Sequence, residues 1–138
     1  VVDDYAHHPN EIKATLQAAR QAFQGQRLTL VFQPHRYTRT RDHFDDFIEA
    51  LRLADLIILT EVYAAGEAPI AAADGKDLAR SLRTHFHLEP IYQSTLEKLP
   101  ETILEVSRDQ DVVLTMGAGS ITKVAAWLKD LAEQGQHT

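Results

Sequence analysis

The sequence predicts a three-layer α/β fold, with a mainly parallel sheet of five or six strands and helices on both faces. Two observations predict it. Short runs of apolar and β-branched residues alternate along the chain with longer segments of helical periodicity. These runs are apolar at nearly every position, which is typical of parallel strands that are buried on both faces. Such alternation favours right-handed crossovers, although it does not give the strand order.

The first predicted strand, residues 1–5, leads into a helix that we expect to begin at Pro9. Proline suits the first helical position, because its missing N–H would have no partner there anyway. Glu11 places a negative charge in the first turn, where it complements the helix dipole. Gly25 ends the helix. One face is apolar, with Ile12, Leu16, Ala19 and Phe23.

The second strand is predicted at residues 28–32 and precedes a polar segment at residues 33–41. We expect Thr40 to be the N-cap of the next helix, with Asp42 in its first turn. The third strand, residues 55–60, is again mostly apolar. The helix between these strands has its apolar residues at the spacing of one buried face, namely Phe44, Phe47, Ile48 and Leu51.

A long loop at residues 61–70 follows the third strand, because Gly66 and Pro69 exclude a regular element there. A short helix is then expected to begin at Asp74 or Gly75. Both residue types suit that position, since Asp is a preferred N-cap and a glycine can follow it into the first turn.

The fourth strand, residues 90–92, is weak, and the helix after it, residues 95–106, is interrupted or restarted at Pro100. The fifth strand covers residues 111–116. Residues 117–120 then turn into a last helix. The apolar face of that helix comprises Ile121, Val124, Ala125, Leu128 and Leu131.

Length and composition restrict the class of protein. The chain has 138 residues, which is enough for one domain with a full hydrophobic core. It contains no cysteine, so disulfide scaffolds, cysteine-ligated zinc sites and thiol catalysis are excluded. Its formal net charge of -6 argues against a nucleic-acid binder that depends on bulk positive charge. A cysteine-free chain with an ordinary core is most simply cytoplasmic, although the absence of cysteine permits any compartment. No apolar run approaches the roughly 18 residues that span a bilayer.

Four turns after the predicted strands are rich in polar side chains. A parallel sheet brings every strand-to-helix turn to its carboxyl edge, where α/β proteins bind ligands. The turn near Gln93 and Ser94 has no comparable cluster. The pattern therefore predicts a binding cleft formed by the turns at residues 4–8, 35–41, 61–67 and 117–120.

The turn after the second strand combines His35 with three arginines, Arg36, Arg39 and Arg41. Guanidinium groups match carboxylates and phosphates geometrically, so this turn indicates a site for an anionic substrate group. Arginines near a helix N-terminus oppose the dipole, which also favours a functional role. The alternative is a solvated helix start in which arginines, Arg41 above all, pair with the nearby carboxylates of Asp42, Asp45 and Asp46.

The turn after the first strand holds Asp4, Tyr5, His7 and His8. Adjacent histidines project in different directions and no third ligand has suitable spacing, so a metal site is not expected. We expect one histidine to contact a ligand and the other to cap the helix. Asp4 either holds a ribose diol through its two oxygens or is a turn or capping residue.

The turn Gly117-Ala118-Gly119 resembles the start of a dinucleotide fingerprint, but the motif is incomplete and follows the last strand. It suits a close approach of backbone to a ligand, and it equally suits a tight turn. The sequence contains neither a Walker A motif nor a nucleophile elbow. Because the chain starts at Val1 in an apparent strand, we expect it to be one domain, residues 1–138, cut from a longer polypeptide that supplies the rest of a split active site.

Four segments of the chain, in this order, resemble the C-terminal domain of the Mur ligases, and the resemblance covers essentially the whole sequence. Residues 34–40, Pro-His-Arg-Tyr-Thr-Arg-Thr, bring it nearest to the members that add L-alanine to UDP-N-acetylmuramate. The segments are residues 4–9 (Asp-Tyr-Ala-His-His-Pro), 32–40, 61–70 (with Glu-Val-Tyr and Gly-Glu-Ala-Pro-Ile) and 117–119 (Gly-Ala-Gly).

The resemblance implies a bacterial, cytoplasmic enzyme of peptidoglycan synthesis with three domains. This chain would be the Rossmann-like C-terminal domain, which closes over the active site and brings the amino acid. The absent N-terminal domain would bind UDP-N-acetylmuramate, and the absent central domain would bind Mg²⁺ and most of ATP. The implied reaction is an ATP-dependent amide ligation, in which the muramate carboxylate becomes an acyl phosphate that the amine of L-alanine attacks.

The resemblance also implies roles for individual residues, with Asp4 on the ATP ribose and Arg36 or Arg39 on the alanine carboxylate. It implies no catalytic residue and no metal ligand within this chain, and the isolated chain is expected to be inactive. The implied nucleotide-binding residues are Asp4, His7 and His8. The implied substrate-binding residues are Tyr5, His35, Arg36, Arg39, Gly117 and Ala118.

Two alternatives remain open at this point. One is a non-catalytic module that binds a nucleotide or another anion and shares the fold. The other is a sister Mur ligase that uses a different amino acid. In each case the expected partners are small molecules and, in the parent chain, the other domains; neither a nucleic acid nor a membrane is expected.

Overall fold

The computed structural model describes residues 2–4, 8–108, 110–117, 120–121, 123–124 and 126–130, with the backbone alone described for residues 2–4. These residues contain a five-stranded sheet with the order β1-β5-β2-β3-β4, in which every neighbouring pair is parallel. The predicted α/β class and mainly parallel sheet are confirmed. The strands are β1 (Val2–Asp4), β2 (Leu28–Phe32), β3 (Leu56–Leu59), β4 (Ile91–Tyr92) and β5 (Val112–Met116).

Helices follow the strands along the chain. A short 3₁₀ helix, Leu96–Lys98, leads directly into the helix after β4. Residues 123–124 and 126–130, which follow β5, are also helical. The helices with described bounds are α1 (Pro9–Ala22), α2 (Tyr37–Asp42), α3 (Phe44–Leu51), α4 (Gly75–Phe86) and α5 (Leu99–Val106). In the described part of the chain, no helix has the length and apolarity that crossing a membrane requires.

Different helices cover the two faces of the sheet. On one face, α1, α3 and α4 pack against strand residues such as Leu30 and Phe32. On the other face, α5 and the helical segment after β5 pack against Val31 and Val113. Right-handed crossovers explain this division, because the chain crosses the sheet in one direction from β1 to β4 and then returns to β5.

The carboxyl ends of all five strands lie at one level. Asp4 pairs with Met116, which also pairs with Phe32. Phe32 pairs in turn with Leu59, and Leu59 with Tyr92. β5 lies between β1 and β2, but the chain after β5 leaves towards the other face of the sheet from the chain after β1 and β2. Where neighbouring strands lead to opposite faces, open α/β sheets have the crevice in which they bind ligands.

Most predicted helix boundaries are confirmed. Pro9 is the first residue of α1, and Asp74 is the N-cap of α4, where its carboxylate accepts a hydrogen bond from the Asp77 N–H at 2.8 Å. Pro100 is the second residue of α5, directly after the 3₁₀ helix. Such boundaries are set by the residue itself and its close neighbours, so local sequence predicts them.

The prediction of Thr40 as an N-cap, with Asp42 in the first turn, is wrong. Thr40 is buried inside α2, Asp42 is the last residue of α2, and α3 is a separate helix. The Thr40 hydroxyl donates to the Arg36 carbonyl at 2.9 Å. The start of α2 is stabilised by Glu67, whose carboxylate accepts a hydrogen bond from the Thr38 N–H at 3.2 Å. A cap that comes from a distant loop leaves no local signal in the sequence.

Candidate functional site

The loops after β2 and β3 are joined beyond the ends of their strands. The Tyr63 N–H donates to the Pro34 carbonyl, and the Arg36 N–H donates to the Tyr63 carbonyl, both at 2.8 Å. His35 and Tyr63 thus form an isolated parallel bridge, and their rings stack with centroids 5.5 Å apart. This bridge places His35 and Arg36 at the rim of the carboxyl edge and restricts their backbone.

Arg36 has an unusual backbone conformation, with φ 67° and ψ 138°. A side chain other than glycine is strained there, and such strain persists only where surrounding contacts fix the backbone. The contacts are present: the Arg36 N–H bonds to Tyr63, and the Arg36 carbonyl accepts from the Thr40 N–H and hydroxyl. The guanidinium of Arg36 is exposed and forms no ion pair or hydrogen bond with the described residues. Arg36 is thus an exposed positive charge beyond the carboxyl ends of β2 and β3.

Arg39, which lies in α2, contacts His35 in the turn that precedes this helix. Its Nη1 lies 3.2 Å from His35 Nδ1. A guanidinium can only donate, so Nδ1 is the acceptor in this contact. His35 and Arg39 are both partly buried, so the contact fixes the orientation of the imidazole ring.

Arg41 pairs with a neighbouring carboxylate, which was the structural alternative in the sequence analysis. Its Nε lies 3.0 Å from Asp42 Oδ1, and both side chains are more than half exposed. Exposed pairs of this kind contribute little to stability. Of the carboxylates considered as partners, only Asp42 pairs with an arginine of this turn in the described structure. Arg36 and Arg39 are the two arginines that remain as candidates for ligand binding.

Gln33 ties the turn after β2 to the turn after β5. Its side-chain Nε2 donates to Ser120 Oγ at 3.0 Å, and its Oε1 accepts from the Ile121 N–H at 2.9 Å. Only 5% of Gln33 is exposed. The sequence analysis did not single it out, although a polar residue directly after a mostly apolar strand was a usable signal.

Gly117 begins the turn after β5 and lies directly beside Gln33. Its φ is 150°, and a Cβ there would lie 2.6 Å from Ile121 Cγ2 and 3.0 Å from the Gln33 carbonyl oxygen. The position therefore requires glycine. The tight-turn interpretation of Gly117 is thus supported, while its proposed backbone contact with a substrate stays a prediction.

Two glutamates of the loop after β3 were also missed. The Glu67 carboxylate accepts hydrogen bonds from the Thr38 hydroxyl at 2.6 Å and from the Thr38 N–H. The hydroxyl bond is the main reason why the pKa of Glu67 lies below its usual value. Glu67 lies 29 positions from Thr38, and Glu61 lies 31 positions from its partner Tyr92. Only the fold reveals these partners.

Glu61 anchors the start of the same loop. It accepts hydrogen bonds from the Tyr92 hydroxyl and from the Val62 N–H, both at 2.8 Å. Burial, together with the bond to Glu61, raises the pKa of the Tyr92 phenol. Burial and the Glu61 charge also raise the pKa of Tyr37. Both phenols are therefore neutral hydrogen-bonding groups at physiological pH.

His8, directly before α1, lies beside the junction of α2 and α3. His8 is the N-cap of α1, and its N–H donates to Glu11 Oε1 at 3.1 Å. The His8 ring meets the ring of His43 edge to face, with centroids 5.5 Å apart. The structure thus places one of the two adjacent histidines at the helix start, as expected.

Several predicted site residues lie wholly or partly outside the described residues. Asp4 ends β1, but its side chain is not described. The nucleotide and substrate contacts predicted for this group stay predictions. The other residues of the group are Tyr5, His7 and Ala118.

Residues 1–119 match the family model described as the glutamate ligase domain of the Mur ligases. The chain belongs to the Mur ligase family. It is 57% identical over 137 residues to a UDP-N-acetylmuramate–L-alanine ligase of Methylobacillus flagellatus, which covers 99% of this chain and 29% of that Mur ligase. It is 58% identical over 134 residues to the ligase of the same name from Neisseria meningitidis serogroup A, with 97% and 29% covered. The chain thus spans less than a third of the length of these curated relatives.

Solved Mur ligases have the same fold. The structure of UDP-N-acetylmuramate-alanine ligase from Thermotoga maritima matches with a TM-score of 0.76 and 30% identity, over 95% of this chain and 26% of that one. A domain from a putative UDP-N-acetylmuramate:L-alanyl-gamma-D-glutamyl-diaminopimelate ligase of Haemophilus ducreyi matches with a TM-score of 0.67 and 22% identity, over 94% of this chain and 87% of that one. The second likeness shows the fold alone.

Proposed function

We propose that this chain is the C-terminal domain of a three-domain bacterial ligase that joins L-alanine to UDP-N-acetylmuramate with consumption of ATP. The observation that carries the proposal is the exposed Arg36 guanidinium, which has no ion-pair partner among the described residues and lies beside the Arg39–His35 pair. These groups form an anion site at the edge where the fold binds ligands. The similarity to ligases of that name supports the choice of substrate.

In this proposal the chain binds and orients substrates and supplies no nucleophile. Arg36 binds the carboxylate of L-alanine through charge-assisted hydrogen bonds. Arg39 adds positive charge near the acyl phosphate that forms from UDP-N-acetylmuramate, and it fixes the orientation of the His35 ring. Tyr5, with the Gly117 and Ala118 backbone, completes the substrate contacts. This division agrees with acyl and phosphoryl transfer, which depends mainly on positioning and charge neutralisation.

The proposed nucleotide contacts lie in the turn after β1. Asp4 holds the ATP ribose, and His7 and His8 border the nucleotide. As the family resemblance implies, we assign Mg²⁺ and most contacts with ATP to the central domain of the parent chain, and UDP-N-acetylmuramate to its N-terminal domain. The proposed location is the bacterial cytoplasm, where peptidoglycan precursors are made.

The test is phosphate release by the full-length parent protein supplied with ATP, Mg²⁺, UDP-N-acetylmuramate and one amino acid at a time. Release should depend on L-alanine. A preference for another amino acid would indicate a sister Mur ligase, and no release with any amino acid would indicate a non-catalytic module. The isolated 138-residue chain, as the matched comparison, should release no phosphate, because it lacks the domains that hold most of the nucleotide.

A further inference from the structure

Glu67 is bound on both carboxylate oxygens by one residue. Its Oε2 accepts the Thr38 hydroxyl at 2.6 Å and its Oε1 accepts the Thr38 N–H at 3.2 Å. Glu67 belongs to the loop after β3, whereas Thr38 lies in the first turn of α2. Because α2 has no cap hydrogen bond from its own N-cap side chain, this loop supplies the acceptor that the helix start needs.

The same loop fixes Arg36 from both sides. Tyr63 accepts the Arg36 N–H at 2.8 Å, and Glu67 fixes Thr38 two residues later. Between these two contacts, the Arg36 backbone is held at φ 67°. The strained conformation sets the direction of the Cα–Cβ bond, so it determines where the guanidinium can reach. Loss of either contact would allow Arg36 to relax to an ordinary negative φ.

The contact between Thr38 and Glu67 also affects how the charges of Glu67 and Arg36 interact. The positive charge of Arg36 is near enough to act on Glu67, yet the two side chains form no ion pair within the described structure. Thr38 engages both Glu67 oxygens and holds the carboxylate at the start of α2, where it forms no ion pair with the guanidinium in the described structure. The contact between Thr38 and Glu67 thus keeps the anion site open for a substrate.

We propose that Glu67, acting through Thr38, is a positioning residue that holds Arg36 ready for the carboxylate of the incoming amino acid. This inference rests on the proposed function of Arg36. It adds a pair of residues, Glu67 of the loop after β3 and Thr38 of α2, that controls affinity for the amino acid without touching it. The pair should affect binding of the amino acid and leave binding of ATP unchanged.

The test uses the full-length ligase that contains this chain and compares Glu67→Ala, Thr38→Val, Thr38→Ser and the double variant Glu67→Ala/Thr38→Val. Glu67→Ala and Thr38→Val should each raise the KM for L-alanine at least fivefold, with less than twofold change in kcat and in the KM for ATP. Thr38→Ser should restore the KM, because it keeps the hydroxyl. The double variant should resemble the single variants, because they remove the same interaction. Thr38→Val keeps the side-chain shape, so it tests the proposal even if Glu67→Ala folds poorly.

Glu105→Ala is the matched control, because Glu105 is an exposed glutamate of α5 with no partner among the described residues. It should leave all kinetic constants unchanged. An unchanged KM for L-alanine in Thr38→Val, or an equal loss in every kinetic constant, would overturn the positioning role. Arg36→Ala separates the positioning role of Glu67 from the proposed function of Arg36. If Arg36→Ala raises the KM for L-alanine while Glu67→Ala and Thr38→Val do not, the positioning role alone is wrong. If Arg36→Ala has no effect either, the proposed function of Arg36 is wrong as well.

Discussion

Gly117 and Gln33 are in direct contact where the turns after β5 and β2 meet. A Cβ on Gly117 would lie 3.0 Å from the Gln33 carbonyl oxygen and 2.6 Å from Ile121 Cγ2. The Gln33 side chain also accepts the Ile121 N–H, at 2.9 Å. The crevice beside β5 is therefore bordered by two turns whose spacing leaves no room for a side chain at residue 117.

Gly117→Ala should destabilise the chain by about 2–4 kcal/mol, because both the positive φ and the contacts of the new Cβ oppose it. The free energy of unfolding, measured by urea denaturation of the 138-residue chain, gives the result. Gly25→Ala is the matched control, since Gly25 has φ 79° but nothing within 4 Å of a Cβ. It should cost only about 1 kcal/mol, from the backbone conformation alone. Equal losses in the two variants would contradict the close contact at Gly117.

The ion pair of Arg27 and Asp111 should make stability depend on pH. Arg27 Nη2 lies 2.6 Å from Asp111 Oδ2, and the Asp111 side chain is 5% exposed. Its hydrogen bond with Arg27 lowers the pKa of Asp111 in the folded chain. A carboxyl with a lowered pKa stabilises the fold above its unfolded pKa of about 3.9, and this contribution is lost as the pH falls through the lower, folded value.

Asp111→Asn should therefore reduce the free energy of unfolding at pH 7 by about 1–3 kcal/mol. Below about pH 4 the difference between Asp111→Asn and the unchanged chain should shrink, because Asp111 becomes protonated. Chemical denaturation at a series of pH values measures both effects. Asp42→Asn, which breaks an exposed pair with Arg41, should cost less than about 1 kcal/mol. A difference that stayed constant down to pH 2 would show that the Asp111 charge is not the cause.

The features that sequence predicts here are those decided by neighbouring residues. Apolar runs predicted the strands, and Pro9 and Asp74 predicted the starts of α1 and α4. Topology then predicted that polar turns meet at one sheet edge, and the pairing of Asp4, Met116 and Phe32 confirms that their strands end together. The roles of Arg41 and His8 were among the alternatives that the sequence allowed.

The features that sequence did not predict depend on residues far apart in the chain. Glu67 lies 29 positions from Thr38, and its carboxylate bonds to Thr38 in the first turn of α2. Gln33 bonds to Ser120, 87 positions away. Strand order is equally non-local, because it depends on where β5 inserts. Local sequence propensity does not encode these pairings, so the contacts that hold the turns of the site in place became visible only in the fold.

Arg36 carries the central claim, that the carboxyl edge of this sheet binds the carboxylate of L-alanine. Loss of a charge-assisted hydrogen bond costs about 1.5–3 kcal/mol, which corresponds to a change in affinity of roughly 10- to 150-fold. Arg41→Ala is the matched control, because Arg41 is an exposed arginine of the same turn that pairs with Asp42. The most direct measurement is the KM for L-alanine in the proposed full-length ligase. The account predicts that Arg36→Ala raises this KM at least tenfold while Arg41→Ala changes it less than twofold; an unchanged KM in Arg36→Ala would contradict it.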